Sequence, residues 1–518
     1  MAEKLYVRRA SGLVREISAF DALIYNVLIM APTAVYVYGI WAMGLFPGVD
    51  LPLTVWIAMA ISIVVGLYYA FMSAVLPRTG GDYIWISRLL HPALGFMMSF
   101  FLMNVLLAVA GSYIPWFIEW GIGPFFDVLG YSDLASTLVD PNVMFGIAVL
   151  YYILITILMS RGVKVTKIFF WLFFVTILVG FLTYLYFLLT TGVEGFASLF
   201  NQKTGLDYQT IINDAVSQGM PGDFILTATL MGSMFTILNF LGFNSSVYIA
   251  GEVKEVRKSQ LLAIIGAVVL FAVITWLVYM AAYIGFGDKF VAALSYLYVV
   301  SGNYPLGDMP PFFHFLIKLV ASPSISALVF LGFSAMTLSA ILVYIFTSVR
   351  FVFAWAFDRI IPSFFADVDP KTGTPYTALL LTSLLAIFFQ ALWIYTPYLN
   401  YFAFIVLGWG VLTAIASVAG IILPFRRPDL FELAPSFAKK KIGGVPVLSV
   451  LGVLSFFIGI WQAWVGTTPA VVGEIVPEYI AFLIGIYVIA LVIYFASSLY
   501  HKKKGIPLEL VFKEIPPA

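Results

Sequence analysis

Apolar residues run through this chain in twelve long blocks, each bounded by short polar segments. The blocks are Phe20–Phe46, Leu53–Leu76, Ala93–Trp120, Val143–Met159, Ile168–Leu189 and Phe224–Ala250, then Leu261–Phe286, Ile325–Phe346, Ala378–Tyr395, Tyr401–Ile422, Val445–Val465 and Tyr479–Tyr500. At 1.5 Å per residue, such blocks cross roughly 30 Å of hydrocarbon as helices. They lack the apolar–polar alternation of barrel strands, and within lipid only a helix satisfies its own backbone. The pattern therefore predicts an all-α membrane protein of twelve spans.

Composition agrees: 62% of the residues are hydrophobic, 10% are charged, and mean hydropathy is +1.03. A soluble fold carries about a quarter charged residues and could not hide this much apolar surface. A net charge of +1 gives no reason to expect nucleic acid, and the absence of cysteine excludes disulfides and thiolate metal sites. Positive charge orients the spans. With the N-terminus inside and the spans alternating, all of the 27 lysines and arginines except Lys203, Lys289 and Lys318 fall on inner segments. Both termini are thus expected in the cytoplasm, in a multi-pass protein of the plasma membrane. The longer outer segments Thr190–Asp223 and Gly287–Ser324 are expected to carry a short helix and a cap over the mouth; His314, in that cap, reads as a surface residue.

Two spans contain helix breakers near their centres. The first has Met30-Ala31-Pro32-Thr33: Pro32 lacks an N–H and clashes with the preceding turn, and Thr33 can start a new helix. The sixth has Asn239-Phe240-Leu241-Gly242-Phe243-Asn244-Ser245-Ser246, where Gly242 permits an opened backbone and Asn244, Ser245 and Ser246 are N-cap types. The breaks lie five spans apart, so their helices run in opposite directions, as an inverted five-plus-five repeat requires. Paired breaks of this kind mark the binding site of many carriers, because half-helix ends present N–H groups to a carboxylate and carbonyls to an ammonium. A zwitterion fits. Asp21, Glu119, Asp223 and Glu252 all lie near span ends, so no carboxylate is available at the midplane for a polyamine or a basic side chain. A neutral amino acid is the expected substrate.

Three further segments carry a resemblance. Pro77-Arg78-Thr79-Gly80-Gly81-Asp82-Tyr83, with Arg88, Pro92 and Gly95, lies between the second and third spans. Gly242-Phe243-Asn244 is followed by Gly251-Glu252-Val253-Lys254. Phe346-Thr347-Ser348-Val349-Arg350, Asp358-Arg359 and Ile361-Pro362 lead to Gly373-Thr374-Pro375. In this order they resemble the amino acid–polyamine–organocation superfamily of permeases. The resemblance implies a leucine-transporter-type fold: helices 1–5 and 6–10 as inverted repeats (residues 20–189 and 224–422), two further helices (445–500), and discontinuous helices 1 and 6. It implies alternating access and substrate contacts at Met30, Ala31, Pro32 and Thr33 and at Asn239, Phe240, Leu241, Gly242, Phe243 and Asn244, with Phe240 or Phe243 as a gate. The usual Gly-Ser-Gly of the first span is replaced by Met-Ala-Pro-Thr, and the fifth-span lysine of several proton-linked members is missing near Thr176 and Ile177. Without cysteine, a disulfide-linked heavy chain is excluded. Sodium is the expected coupling ion if there is one, between Leu28 and Ala31 of the first span and the hydroxyls of Thr337 and Ser339 in the eighth. An exchanger, or a cationic amino acid or polyamine carrier of the same superfamily, is the alternative, and a non-transporting amino acid sensor a more distant one. No constellation of catalytic residues points to an enzyme.

Overall fold

The computed structural model describes residues 11–30, 32–397, 405–469, 477–505 and 508–513. Among these, twelve helices are long and apolar enough to cross a membrane: Ala19–Leu45, Leu51–Val75, Pro92–Val128, Pro141–Ser160, Val163–Thr204, Leu226–Val247, Val256–Phe286, Pro323–Phe357, Tyr376–Tyr395, Val406–Arg426, Val447–Val465 and Ile480–Lys503. The fold is an all-α twelve-span bundle.

Counterpart spans pack on one another: the first on the sixth, the second on the seventh, the third on the eighth and the fourth on the ninth. The eleventh packs on the tenth and the twelfth on the third, outside those pairs. The connections repeat the relation. An eight-residue helix, Asp82–Leu89, links spans two and three, and another, Phe313–Val320, links spans seven and eight at the opposite end. Two halves of opposite orientation give this arrangement.

Polar contacts sort the ends of the bundle. Glu16 pairs with Lys164, Asp21 with Lys167, Arg88 with Asp358 and Glu252 with Arg350. Arg426 donates to the Leu89 carbonyl. These contacts join the segments rich in lysine and arginine on one face, called here the N-terminal face. On the other face Lys318 pairs with Asp127 and Lys203 donates to the Val320 carbonyl. Two of the three basic residues outside the charge pattern are therefore anchored together, away from the rest.

Three expectations need correction. His314 is fully buried, not on the surface: its ring stacks on Phe333 at 4.1 Å and meets Tyr36 edge-on. The cap sinks into the bundle, and burial pushes the imidazole down to about 3, so it is neutral. The eighth helix continues past Phe346 to Phe357 with Arg350 inside it; Glu252 neutralises that arginine, so the charge does not end the buried helix. The fifth runs past Leu189 to Thr204, bending at Gly192 where φ is +62°. Beyond it the expected short outer helix forms at Tyr208–Ser217.

Candidate functional site

The first span is two helices, Ala19–Ile29 and Pro32–Leu45. Ser18 and Asp21 start the former with a reciprocal capping box. It stops where Met30, two residues ahead of Pro32, turns extended (φ −59°, ψ 152°). Ala31 lies outside the described residues. The sixth span is helical over Leu226–Phe240; Leu241 is extended, and Gly242 sits at φ +100°, a conformation open chiefly to glycine. The sequence expectation of a new helix capped by Asn244, Ser245 or Ser246 is not met. Two 3₁₀ turns follow instead, Ser245–Val247 and Ala250–Glu252, with no side-chain cap.

The reason lies in a buried polar network that sequence reasoning missed. Asn26 donates to Ser246 Oγ and to the Ala263 carbonyl, both at 3.0 Å, and accepts from Ser246 N–H at 2.7 Å. Gln260 of the seventh span accepts from Ser246 Oγ at 2.6 Å and donates to the Ser246 carbonyl at 3.0 Å. Both backbone groups of Ser246 are thus committed outside a helix. A lone asparagine in the middle of an apolar block was the signal. Its partner, 220 residues away, gave none.

The two breaks touch. A Cβ built on Gly242 would stand 3.2 Å from the Ile29 carbonyl oxygen, and the Tyr344 hydroxyl of the eighth span reaches that same carbonyl at 3.4 Å. Met30, Pro32, Thr33, Asn239, Phe240, Gly242, Phe243 and Asn244 are all buried, and Leu241 is half-buried. Phe240 packs edge-on against Phe271 of the seventh span, and Phe243 lies toward Gly66 of the second. Among the described residues, several buried polar atoms here have no partner in hydrogen-bond geometry: Thr33 Oγ1, both side-chain atoms of Asn239, Asn244 Oδ1 and Ser245 Oγ. Tyr279 stands beside Asn239 and Thr236, and among the described residues its hydroxyl meets no group in hydrogen-bond geometry. Each such group costs on the order of 1–3 kcal/mol until something bonds it, so their concentration at the two breaks suits a polar ligand. None of the residues around the breaks is charged.

The proposed ion ligands are placed as follows. Thr337 Oγ1 donates to the Ser334 carbonyl and Ser339 Oγ to the Met336 carbonyl, each within its own helix. Leu28 and Met336 line a small apolar crevice with Pro32 and Ile177. Thr176 is half-buried and donates to the Leu172 carbonyl of its own helix.

Comparison with known proteins matches this architecture. The family model described as amino acid permease covers residues 18–491. The aspartate-proton symporter of Bacillus subtilis (strain 168) is 24% identical, the alignment covering 87% of this chain and 77% of the relative. The methylthioribose transporter of the same organism is also 24% identical, over 87% of this chain and 89% of the relative. A glutamate/serine transporter, AimA, is 24% identical over 47% of this chain and 42% of its own length. These relatives are transporters, not enzymes. A twelve-span bundle with touching breaks in its first and sixth helices, matched over nearly its whole length, belongs to the amino acid permease family.

Proposed function

We propose that this permease carries a small, uncharged amino acid with a hydrogen-bonding side chain across the cytoplasmic membrane by alternating access, with both termini in the cytoplasm. The observation behind this reading is the set of unpartnered buried polar atoms at the two breaks, in a site without charge. The carbonyl end of Ala19–Ile29 faces the ammonium, and the first N–H groups of Pro32–Leu45 face the carboxylate. The amide of Asn239 then meets the substrate side chain. Two of the relatives are named for acidic amino acids, but an acidic side chain needs a cation at the midplane. In this chain the lysines and arginines lie toward the ends of the spans, and the one inside the eighth helix, Arg350, is already paired with Glu252.

Counterflow uptake into proteoliposomes, with a panel of labelled amino acids, tests this. Serine, threonine, asparagine and glutamine should exchange ahead of leucine, and well ahead of aspartate or arginine. Preference for aspartate, arginine or a polyamine would sink the assignment. Asn239→Leu should lower the preference for a polar over an aliphatic substrate by about tenfold to a hundredfold, the usual effect of losing a buried hydrogen-bonding group that reads a substrate. Unchanged competition curves would remove Asn239 from the site.

For coupling, we propose exchange or sodium-linked transport in preference to proton symport, because the residues at the two breaks include no Asp, Glu, His or Lys. An imposed pH gradient alone should then produce no accumulation in the same vesicles.

A further inference from the structure

Asp82 opens the short helix between the second and third spans and is fully buried. Its Oδ2 accepts hydrogen bonds from Tyr248, at 2.9 Å, and from Tyr69, at 3.2 Å. Its Oδ1 has no partner, and among the described residues no lysine, arginine or histidine pairs with it. The other ionic groups buried on this face, Arg88 with Asp358 and Arg350 with Glu252, are matched. Among the described residues, Asp82 is the buried carboxyl on this face that no cation pairs with.

Its two tyrosines belong to different elements. Tyr69 lies in the second span; Tyr248 lies in the irregular stretch below the sixth-span break, its ring packed on Phe351 of the eighth at 4.9 Å. The loop ahead of Asp82 is fitted to that stretch. Gly80 N–H donates to the Tyr248 carbonyl at 3.0 Å, and a Cβ on Gly81 would stand 2.6 Å from Val247. Thr79 touches Gly251 with no room for a side chain there. Opening the N-terminal face means separating these surfaces and letting water reach the carboxyl.

We propose that Asp82 is a pH-sensitive latch: its protonated carboxyl holds the N-terminal face shut, and loss of the proton lets that face open. An ionised carboxylate in the closed state has two neutral hydroxyl donors and one bare oxygen, a costly way to bury charge. In the open state water solvates it. Burial accordingly pushes the Asp82 carboxyl up to about 7 in the closed structure, against roughly 3.9 for a solvated aspartate.

The neighbouring groups leave that difference intact. Tyr68, Tyr69 and Tyr248 are neutral at these pH values. Arg88 is held by Asp358, Glu252 by Arg350, and Arg426 of the tenth span by the Leu89 carbonyl. Arg78, at the far side of the glycines, lies near Arg15 and Arg257. The stretch Pro92–Phe117 of the third span carries no charge.

The closed state, with the higher pKa, binds the proton more tightly, so protonation favours closure. The open-to-closed ratio should be high and flat above about pH 7, fall as pH drops below it, and level off near pH 4. The latch changes the rate of transport and not the final accumulation, so it is compatible with a path that carries no proton.

The chain has no cysteine, so Lys258→Cys at the start of the seventh span and Lys371→Cys beyond the eighth, both exposed, allow spin labels to be placed without background. Distances between them, read by pulsed electron resonance in nanodiscs without substrate, report the face directly. That readout stands even if every amino acid in the panel fails to be transported. The longer-distance population should fall relative to the shorter one by about tenfold or more from pH 8 to pH 5.5. Asp82→Asn should hold it at the low, pH 5.5 level throughout. Tyr248→Phe, which deletes one donor to the ionised form, should move the onset of the fall to higher pH, and it keeps the test open if Asp82→Asn does not fold. A pH response in Asp82→Asn like that of the parent, or an unmoved onset in Tyr248→Phe, overturns the latch, as does a parent whose distances ignore pH.

Discussion

Gly242→Val is expected to reduce counterflow to background while the protein still inserts and can be purified from the membrane. At φ +100° a β-branched residue meets severe backbone clash, a strain of a few kcal/mol. Its Cβ would also stand 3.1 Å from Ile29 Cγ2 and 3.2 Å from the Ile29 carbonyl oxygen, before the two methyls are counted. The side chain must push the breaks apart or cover the Ile29 carbonyl, the group proposed to receive the ammonium. At about 1.4 kcal/mol per factor of ten, the loss should be on the order of a hundredfold or more. Gly242→Ala carries the strain but less bulk, and should fall between. Global unfolding would spread outward from the site, so thermal midpoints of the purified variants separate that outcome from a local one. A Gly242→Val protein with parental uptake would show that substrate does not pass between these breaks.

That glycine was legible in the sequence for the same reason it is sensitive. Proline and glycine act through their own backbones, so Pro32 and Gly242 announce a break whatever surrounds them. The twelve spans were legible too, because lipid demands long apolar runs, and the basic residues marked the ends of those runs. What could not be read were partnerships between distant side chains. Asn26 is one polar residue in an apolar helix until Ser246 and Gln260 are set against it. Asp82 stood out as part of the segment between the second and third spans that carries the resemblance, but nothing in a linear sequence says that Tyr69 and Tyr248 surround its carboxyl while no cation among the described residues does. Arg350 illustrates the opposite error. Counted as a charge that ends a span, it proves to be an interior residue because Glu252, 98 positions earlier, neutralises it.

That same ion pair carries the second large expected effect. Arg350 grips Glu252 with two bonds, Nε at 2.9 Å and Nη2 at 2.6 Å, and its guanidinium lies 3.5 Å from the centre of the Phe346 ring. The Glu252 carbonyl accepts the backbone N–H groups of Glu16 and Ile17, and Lys254 N–H returns to Ile17. The lead into the first span is thereby stitched to the end of the sixth, across the N-terminal face. In Arg350→Met, Glu252 keeps its charge in a buried setting and loses its partner, a loss of about 3–5 kcal/mol in the closed state. Opening hydrates the carboxylate and escapes most of that penalty. The open-to-closed ratio should therefore rise by two to three orders of magnitude, roughly what 3–5 kcal/mol implies. A carrier must close each face in turn, so counterflow should drop by at least about tenfold. Pairing Arg350→Met with Glu252→Gln removes the stranded charge. The double variant should recover much of the closed population and of the activity, since replacing a buried ion pair as a unit is far milder than breaking it. A double variant as impaired as Arg350→Met alone would mean that the arginine acts through something other than Glu252.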